Sequence, residues 1–315
     1  MQSNGLEGWG GRIDLPEDAS NRRWHQWVRR PDTGSASGVA LLGFACDEGV
    51  RRNHGRIGAA EGPAALRRML SNLPVLDDIP LYDAGTVACT DGNLEAAQAR
   101  YAEQLAALLD AGHFAVGLGG GHEIAFATWQ GLAQHLRAQR PRVAIVNIDA
   151  HFDLRKQAQG SSGTPFLQAI EHARELGLPL QYVVYGISAA ANTRILFDTA
   201  DALGVDYVCD DQLGLLELPA RLEQLQAKLA EVDLVYLTID IDGLPHAMAP
   251  GVSAPAARGV PMEVVEPLLD VIAASGKLRL MDVAELSPPL DRDNVTARVA
   301  ARLIHRVTRK AMAST

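Results

Sequence analysis

Near-continuous apolar runs, each about the length of a strand, constrain this chain more than any other feature. They read "VALLGF" (39–44), "FAVGLG" (114–119), "VAIVNID" (143–149), "YVVYGI" (182–187), "DLVYLTID" (233–240) and "LRLMDVAEL" (278–286). Weaker runs lie at "LYDAG" (81–85) and "VDYV" (205–208). A strand with one wet face alternates apolar and polar residues, whereas a continuous run implies cover on both faces, as in a parallel sheet between helices. Helical stretches such as "NLEAAQARYAEQLAALLDAG" and "NVTARVAARLIHRVTRK" fall between the runs. The pattern predicts an α/β fold, a three-layer α/β/α sandwich around a mostly parallel eight-stranded sheet. No composition break divides residues 38–315, so they are expected to form one domain. Residues 1–37, polar with scattered Trp9, Trp24 and Trp27, are expected to form an arm packing on the body or on a neighbouring subunit.

Charge and cysteine usage exclude several classes. A net charge of −9 argues against general nucleic-acid binding, which needs a basic surface. No run approaches the length of a membrane span, and the first residues lack the apolar core of a signal peptide. Cys46, Cys89 and Cys209 are odd in number and far apart, which suits a reducing cytoplasm.

Open parallel sheets bind ligands beyond the C-terminal ends of their strands, so polar clusters there carry the functional signal. Three follow apolar runs directly. In "GLGGGHEIAFAT" (117–128) the glycines permit close backbone approach, and His122 is read as opening a helix. The stretch lacks the Lys-Ser/Thr of a P-loop. In "NIDAHFDLR" (147–155), Asp149, His151 and Asp153 alternate and so point to one side. In "VYLTIDIDGLPHAMAPG" (235–251), Asp240 and Asp242 share one side of a strand end. Each cluster alone also fits a capped helix or a solvated strand end. Together, two imidazoles and four carboxylates are too many for one tetrahedral zinc and suit two divalent ions sharing carboxylates. Oxygen-rich coordination points to Mn²⁺ over Zn²⁺.

These three motifs, with "GRIGAAEGPAALR" (55–67) and "MDVAELSP" (281–288), resemble the signatures of the arginase/agmatinase/formimidoylglutamase (ureohydrolase) family, and the likeness spans roughly residues 38–310. The resemblance implies the arginase-like fold, two Mn²⁺ per subunit and a homo-oligomer. It implies that His122, Asp149, Asp153 and Asp240 hold one ion and Asp149, His151, Asp240 and Asp242 the other. Family enzymes hydrolyse a C–N bond of a guanidinium or formimidoyl group. Asp153 is then the expected proton carrier and Glu285 the expected partner of the cationic substrate head, through a charge-assisted hydrogen bond.

Substrate choice turns on "GSSGTPF" (160–166). Arginase and agmatinase carry a histidine in the corresponding loop, where this chain has Ser162 and no histidine. With "DEGVRRNHGRIGAAEGP" and "APGVSAPAARGV", the loop resembles the formimidoylglutamase branch, which implies conversion of N-formimidoyl-L-glutamate and water to L-glutamate and formamide in histidine degradation. Alternatives are a guanidino-acid or agmatinase-like enzyme releasing urea, and a non-catalytic metal-binding relative. A small dianionic substrate tail calls for donors at the pocket rim: Arg56, Arg155, Ser161, Ser162, Thr164, Asn192 and Thr193. The remaining histidines are expected to pack or lie at the surface, with His54 and His246 nearest the pocket mouth.

Overall fold

Every expected strand forms: β1 (Val39–Ala45), β2 (Leu81–Ala88), β3 (Phe114–Leu118), β4 (Val143–Ile148), β5 (Leu180–Ile187), β6 (Asp206–Cys209), β7 (Leu234–Asp240) and β8 (Leu278–Ala284). The computed structural model describes residues 6–15, 18–137 and 139–313; parts of the expected arm (1–5, 16–17) and of the expected domain (138, 314–315) lie outside them. The strand order is β2-β1-β3-β8-β7-β4-β5-β6, and every neighbouring pair is parallel. The sheet is therefore wholly rather than mostly parallel. The weakest sequence signals belong to β2 and β6, the two edge strands, which have less cover and fewer fully buried residues. Interior strands β3 and β4 are buried throughout.

The helices are α1 (Trp24–Trp27), α2 (Glu48–Arg52), α3 (Gly62–Leu70), α4 (Leu94–Asp110), α5 (Ile124–Leu136), α6 (Pro165–Leu176), α7 (Arg194–Leu203), α8 (Leu218–Ala230), α9 (Met262–Ala274) and α10 (Val295–Ala313). One apolar core joins α3, α8, α9 and α10 to the sheet through Leu66, Leu225, Leu268 and Ile304. A second, on the opposite face, joins α4 to α7 through Leu105, Trp129, Phe166 and Leu196. This gives the three layers. Among the described residues, no helix is long and apolar enough to cross a membrane.

The described part of residues 6–37 packs on the body itself. Trp9, Trp24 and Val28 are buried in the first core, each indole contributing on the order of 3 kcal/mol by removal from water. Trp9 Nε1 donates to Asp83 Oδ2 (2.5 Å), which also takes a bond from Arg67 Nε at 2.7 Å.

Candidate metal centre

Strands β3, β8, β7 and β4 lie side by side, so the residues at their C-terminal ends converge. His122 follows β3, Glu285 follows β8, Asp240 ends β7 with Asp242 in the turn after it, and Asp149, His151 and Asp153 follow β4. Two glycines make this approach possible. A Cβ on Gly120 would lie 1.8 Å from Cys46 O, and one on Gly243 would lie 2.9 Å from Asp149 Cα. His122 does not open α5 as expected. It sits in a turn two residues earlier, because Gly121 N is tied to Cys46 O at 2.9 Å before the helix can start.

His122 Nδ1 lies 3.0 Å from Asp153 Oδ2, 3.0 Å from Asp240 Oδ2 and 3.2 Å from Asp149 Oδ2. His151 Nδ1 lies 3.3 Å from Asp242 Oδ2 and 3.5 Å from Asp149 Oδ1. The ligand atoms thus fall into two groups, one of His122, Asp149, Asp153 and Asp240, the other of Asp149, His151 and Asp242. Asp149 belongs to both. Asp240, expected in both, places its Oδ2 in the first, and its Oδ1 accepts from Asp242 N at 2.8 Å in the turn after β7.

Secondary contacts orient these side chains. Asp149 accepts from Asn147 Nδ2 (2.9 Å) and His151 N (2.7 Å). His122 Nε2 bonds Thr238 Oγ1 at 3.0 Å, leaving Nδ1 to face the carboxylates. Thr238 was not among the expected residues, although it shares the i, i+2 alternation of Asp240 and Asp242 and could have been found from it.

The electrostatics suit a cation. Burial, and then the charges of Asp242 and Asp149, push Asp240 well above the usual carboxylate range. Asp153 is raised by burial and by Asp149, and Asp242 is pushed up to about 6, chiefly by burial. Burial alone would lower His122, yet Asp149, Asp153 and Asp240 hold it well above an ordinary imidazole. His122 Nδ1 faces only carboxylate oxygens, and the buried Asp242 Oδ1 has no hydrogen-bond partner. Like charges this crowded, with an orphaned acceptor among them, are the chemistry of a divalent-ion site. The residues present fit two such ions.

Glu285 closes the opposite side. Its Oε1 accepts from His122 N at 2.8 Å. Burial and the charges of Asp240 and Glu123 raise its carboxyl well above the usual range. Glu285 and Asp153 both hold left-handed backbone, at φ 65° and 51°. Such conformations cost about 1–3 kcal/mol each and cluster at functional sites.

A cavity of ≈ 490 Å³ opens over this cluster. It is lined by Glu285, Asp153, His151, Asp240 and Asp242, and, of the expected rim residues, by Arg56, Arg155, Ser162 and Asn192. Arg56 braces the wall, donating to Ser253 O (3.0 Å) and Val252 O (2.8 Å). The Asn192 amide is likewise spent on backbone, donating to Ala150 O and accepting from Phe152 N. Three expected rim residues lie elsewhere. Ser161 and Thr164 are buried in the turn before α6, where Thr164 Oγ1 accepts from Ser161 N at 2.9 Å, and Thr193 is exposed ahead of α7. Asn53, Gln157 and Ser253 line the cavity without having been expected, and no spacing in the sequence marks them. Of the two histidines nearest the expected mouth, His54 lines the cavity and His246 does not.

The sequence matches the arginase family over residues 37–309. It is 57% identical over 304 residues to a formimidoylglutamase of Ralstonia nicotianae, covering 95% of this chain and 94% of that one. It is 54% identical to a formimidoylglutamase of Aeromonas salmonicida, covering 96% of each. Among solved structures, the formimidoylglutamase of Bacillus subtilis superposes with a TM-score of 0.84 at 21% identity, over 98% of this chain and 97% of that one.

Proposed function

Because the chain belongs to the arginase family, we propose that it hydrolyses N-formimidoyl-L-glutamate to L-glutamate and formamide, a step of histidine degradation, using two Mn²⁺ per subunit. The observation that carries this reading is the pair of ligand groups sharing Asp149 at the floor of a cavity that Glu285 also lines. Identity above half to relatives named for this activity supports the substrate. The chain's three free cysteines suit a cytoplasmic location, and a homo-oligomer is carried over from the family resemblance.

His122, Asp149, Asp153 and Asp240 would hold one ion and, as the family resemblance implies, Asp149, His151, Asp240 and Asp242 the other. When bound, the pair lowers the pKa of water so that a nucleophile exists at neutral pH. Glu285 pairs with the cationic amidinium and presents its planar carbon to the cluster. Asp153, at the open side of the cluster, hands a proton to the nitrogen that leaves as the amine of glutamate. The C–N bond to that nitrogen breaks, and the one-carbon fragment departs as formamide. Arg155 and Ser162, on the cavity wall, face the substrate's carboxylates.

The test is a product assay on Mn²⁺-loaded protein. Formamide and glutamate are expected from N-formimidoyl-L-glutamate, with no urea from arginine, agmatine or guanidino acids; urea alone would overturn the substrate. Ion binding should also depend on pH with a definite sign. The ligands bind as deprotonated groups, so protons compete with the ions. Manganese affinity, read by calorimetry, should fall as pH drops, because Asp240, Asp242 and His122, all raised in the metal-free site, must release their protons to bind the ions, and it should still be rising above about pH 6, the value to which Asp242 is pushed.

A further inference from the structure

Part of the cavity lining comes from α2 and the segment after it, and the last turn of α2 leads into a side chain that the reaction described above leaves unused. Asn53 follows α2 directly and lines the cavity. Its Nδ2 donates to Ser162 Oγ at 3.3 Å. A Cβ on Gly163 would meet Arg155 Cδ at 2.8 Å, Asn53 Nδ2 at 3.0 Å and Arg155 Nε at 3.1 Å. The Asn53 amide and the Arg155 guanidinium therefore converge over the bare backbone of Gly163, with the Ser162 hydroxyl beside them. Ser162 Oγ accepts from Asn53, so its own hydroxyl proton can serve as a donor, and the Asn53 amide carries a second N–H. Arg155 has no carboxylate partner among the described residues. Convergent donors with one cationic fork make a seat for a carboxylate.

A bracket holds this seat. Arg52 Nη1 donates to Gly160 O at 3.0 Å and to Glu95 Oε1 at 2.6 Å, while its Nε reaches Glu48 Oε1 at 2.9 Å. One side chain thus fastens α2 to the loop bearing Ser162 and to the start of α4. At its other end α2 is fixed to the metal loop, where Glu123, next to His122, accepts from Gly49 N at 2.9 Å. We infer that Asn53 is a specificity-determining contact for a carboxylate of the substrate tail, and that Arg52 is the positioning residue holding Asn53 and Ser162 in register. This rests on the reading of the substrate as a dianionic formimidoyl amino acid.

The experiment compares wild type with Asn53→Ala, Asn53→Asp, Arg52→Ala and Arg52→Lys, all Mn²⁺-loaded. Three readouts are taken: steady-state kinetics on N-formimidoyl-L-glutamate, kinetics on N-methylformamidine, which lacks carboxylates, and calorimetric binding of L-glutamate. Losing one charge-assisted hydrogen bond should raise KM for the acidic substrate and Kd for glutamate about tenfold in Asn53→Ala, with kcat within about threefold. Asn53→Asp should be worse, because it sets a like charge against the ligand. Arg52→Ala should shift KM in the same direction, and Arg52→Lys should recover part of the loss. N-methylformamidine turnover should not change in any of the four. If wild type splits N-formimidoyl-L-glutamate while Asn53→Ala leaves KM and glutamate affinity within about twofold, the carboxylate seat is wrong and the substrate reading stands. If wild type fails to split it but Asn53→Ala still weakens glutamate binding, the seat stands and the substrate reading falls. Equal losses on both substrates would mark Asn53 as a general structural residue and overturn the inference.

Discussion

Asp149→Asn is expected to lower kcat/KM by at least about a thousandfold, roughly 4 kcal/mol of transition-state stabilisation, because it removes a carboxylate common to both ligand groups. The amide keeps the size of the side chain and can still accept from His151 N, so the fold itself should survive. Thermal unfolding separates the two effects. Ions that bind only the folded state raise Tm, by an amount that grows with the logarithm of their affinity. Added Mn²⁺ should raise the Tm of wild type and leave that of Asp149→Asn unchanged, while the two metal-free proteins unfold within a few degrees of each other. A variant that keeps both the metal response and activity would contradict the sharing of Asp149.

Glu285→Gln is the second large effect, and its signature differs. The amide oxygen can still accept from His122 N, so the metal loop stays in place. What is lost is the negative charge facing the amidinium. A hydrogen bond to a charged group contributes about 1.5–3 kcal/mol, so kcat/KM should fall by about a hundredfold with metal content unchanged. Loss of metal in this variant would instead place Glu285 among the ligands. The left-handed backbone at this position adds a stability test. Glu285→Gly relieves the strain but leaves the buried His122 N–H unpaired, so the two effects on Tm oppose each other while activity is lost.

The layered sheet and the residues converging at its open end were legible because both depend on local pattern. Continuous apolar runs report two-sided burial, and the alternation of Asp149, His151 and Asp153 fixes which way their side chains point. The edge strands were faint because half-covered strands carry fewer apolar residues. Contacts between segments distant in sequence left no local mark. Asn53 meets Ser162 across 109 positions, and nothing in "RRNHG" announces it. Ser161, Thr164 and Thr193 failed as rim residues for a related reason. Small hydroxyls beside helix starts are as readily used in local turns as in pockets, and sequence spacing does not distinguish the two.

Metal stoichiometry tests the central claim most directly. Protein purified with full activity, freed of loosely bound ions and analysed by inductively coupled plasma mass spectrometry, should contain two manganese ions per subunit, with activity rising as the second is loaded. One ion, or none, in fully active protein would contradict the account.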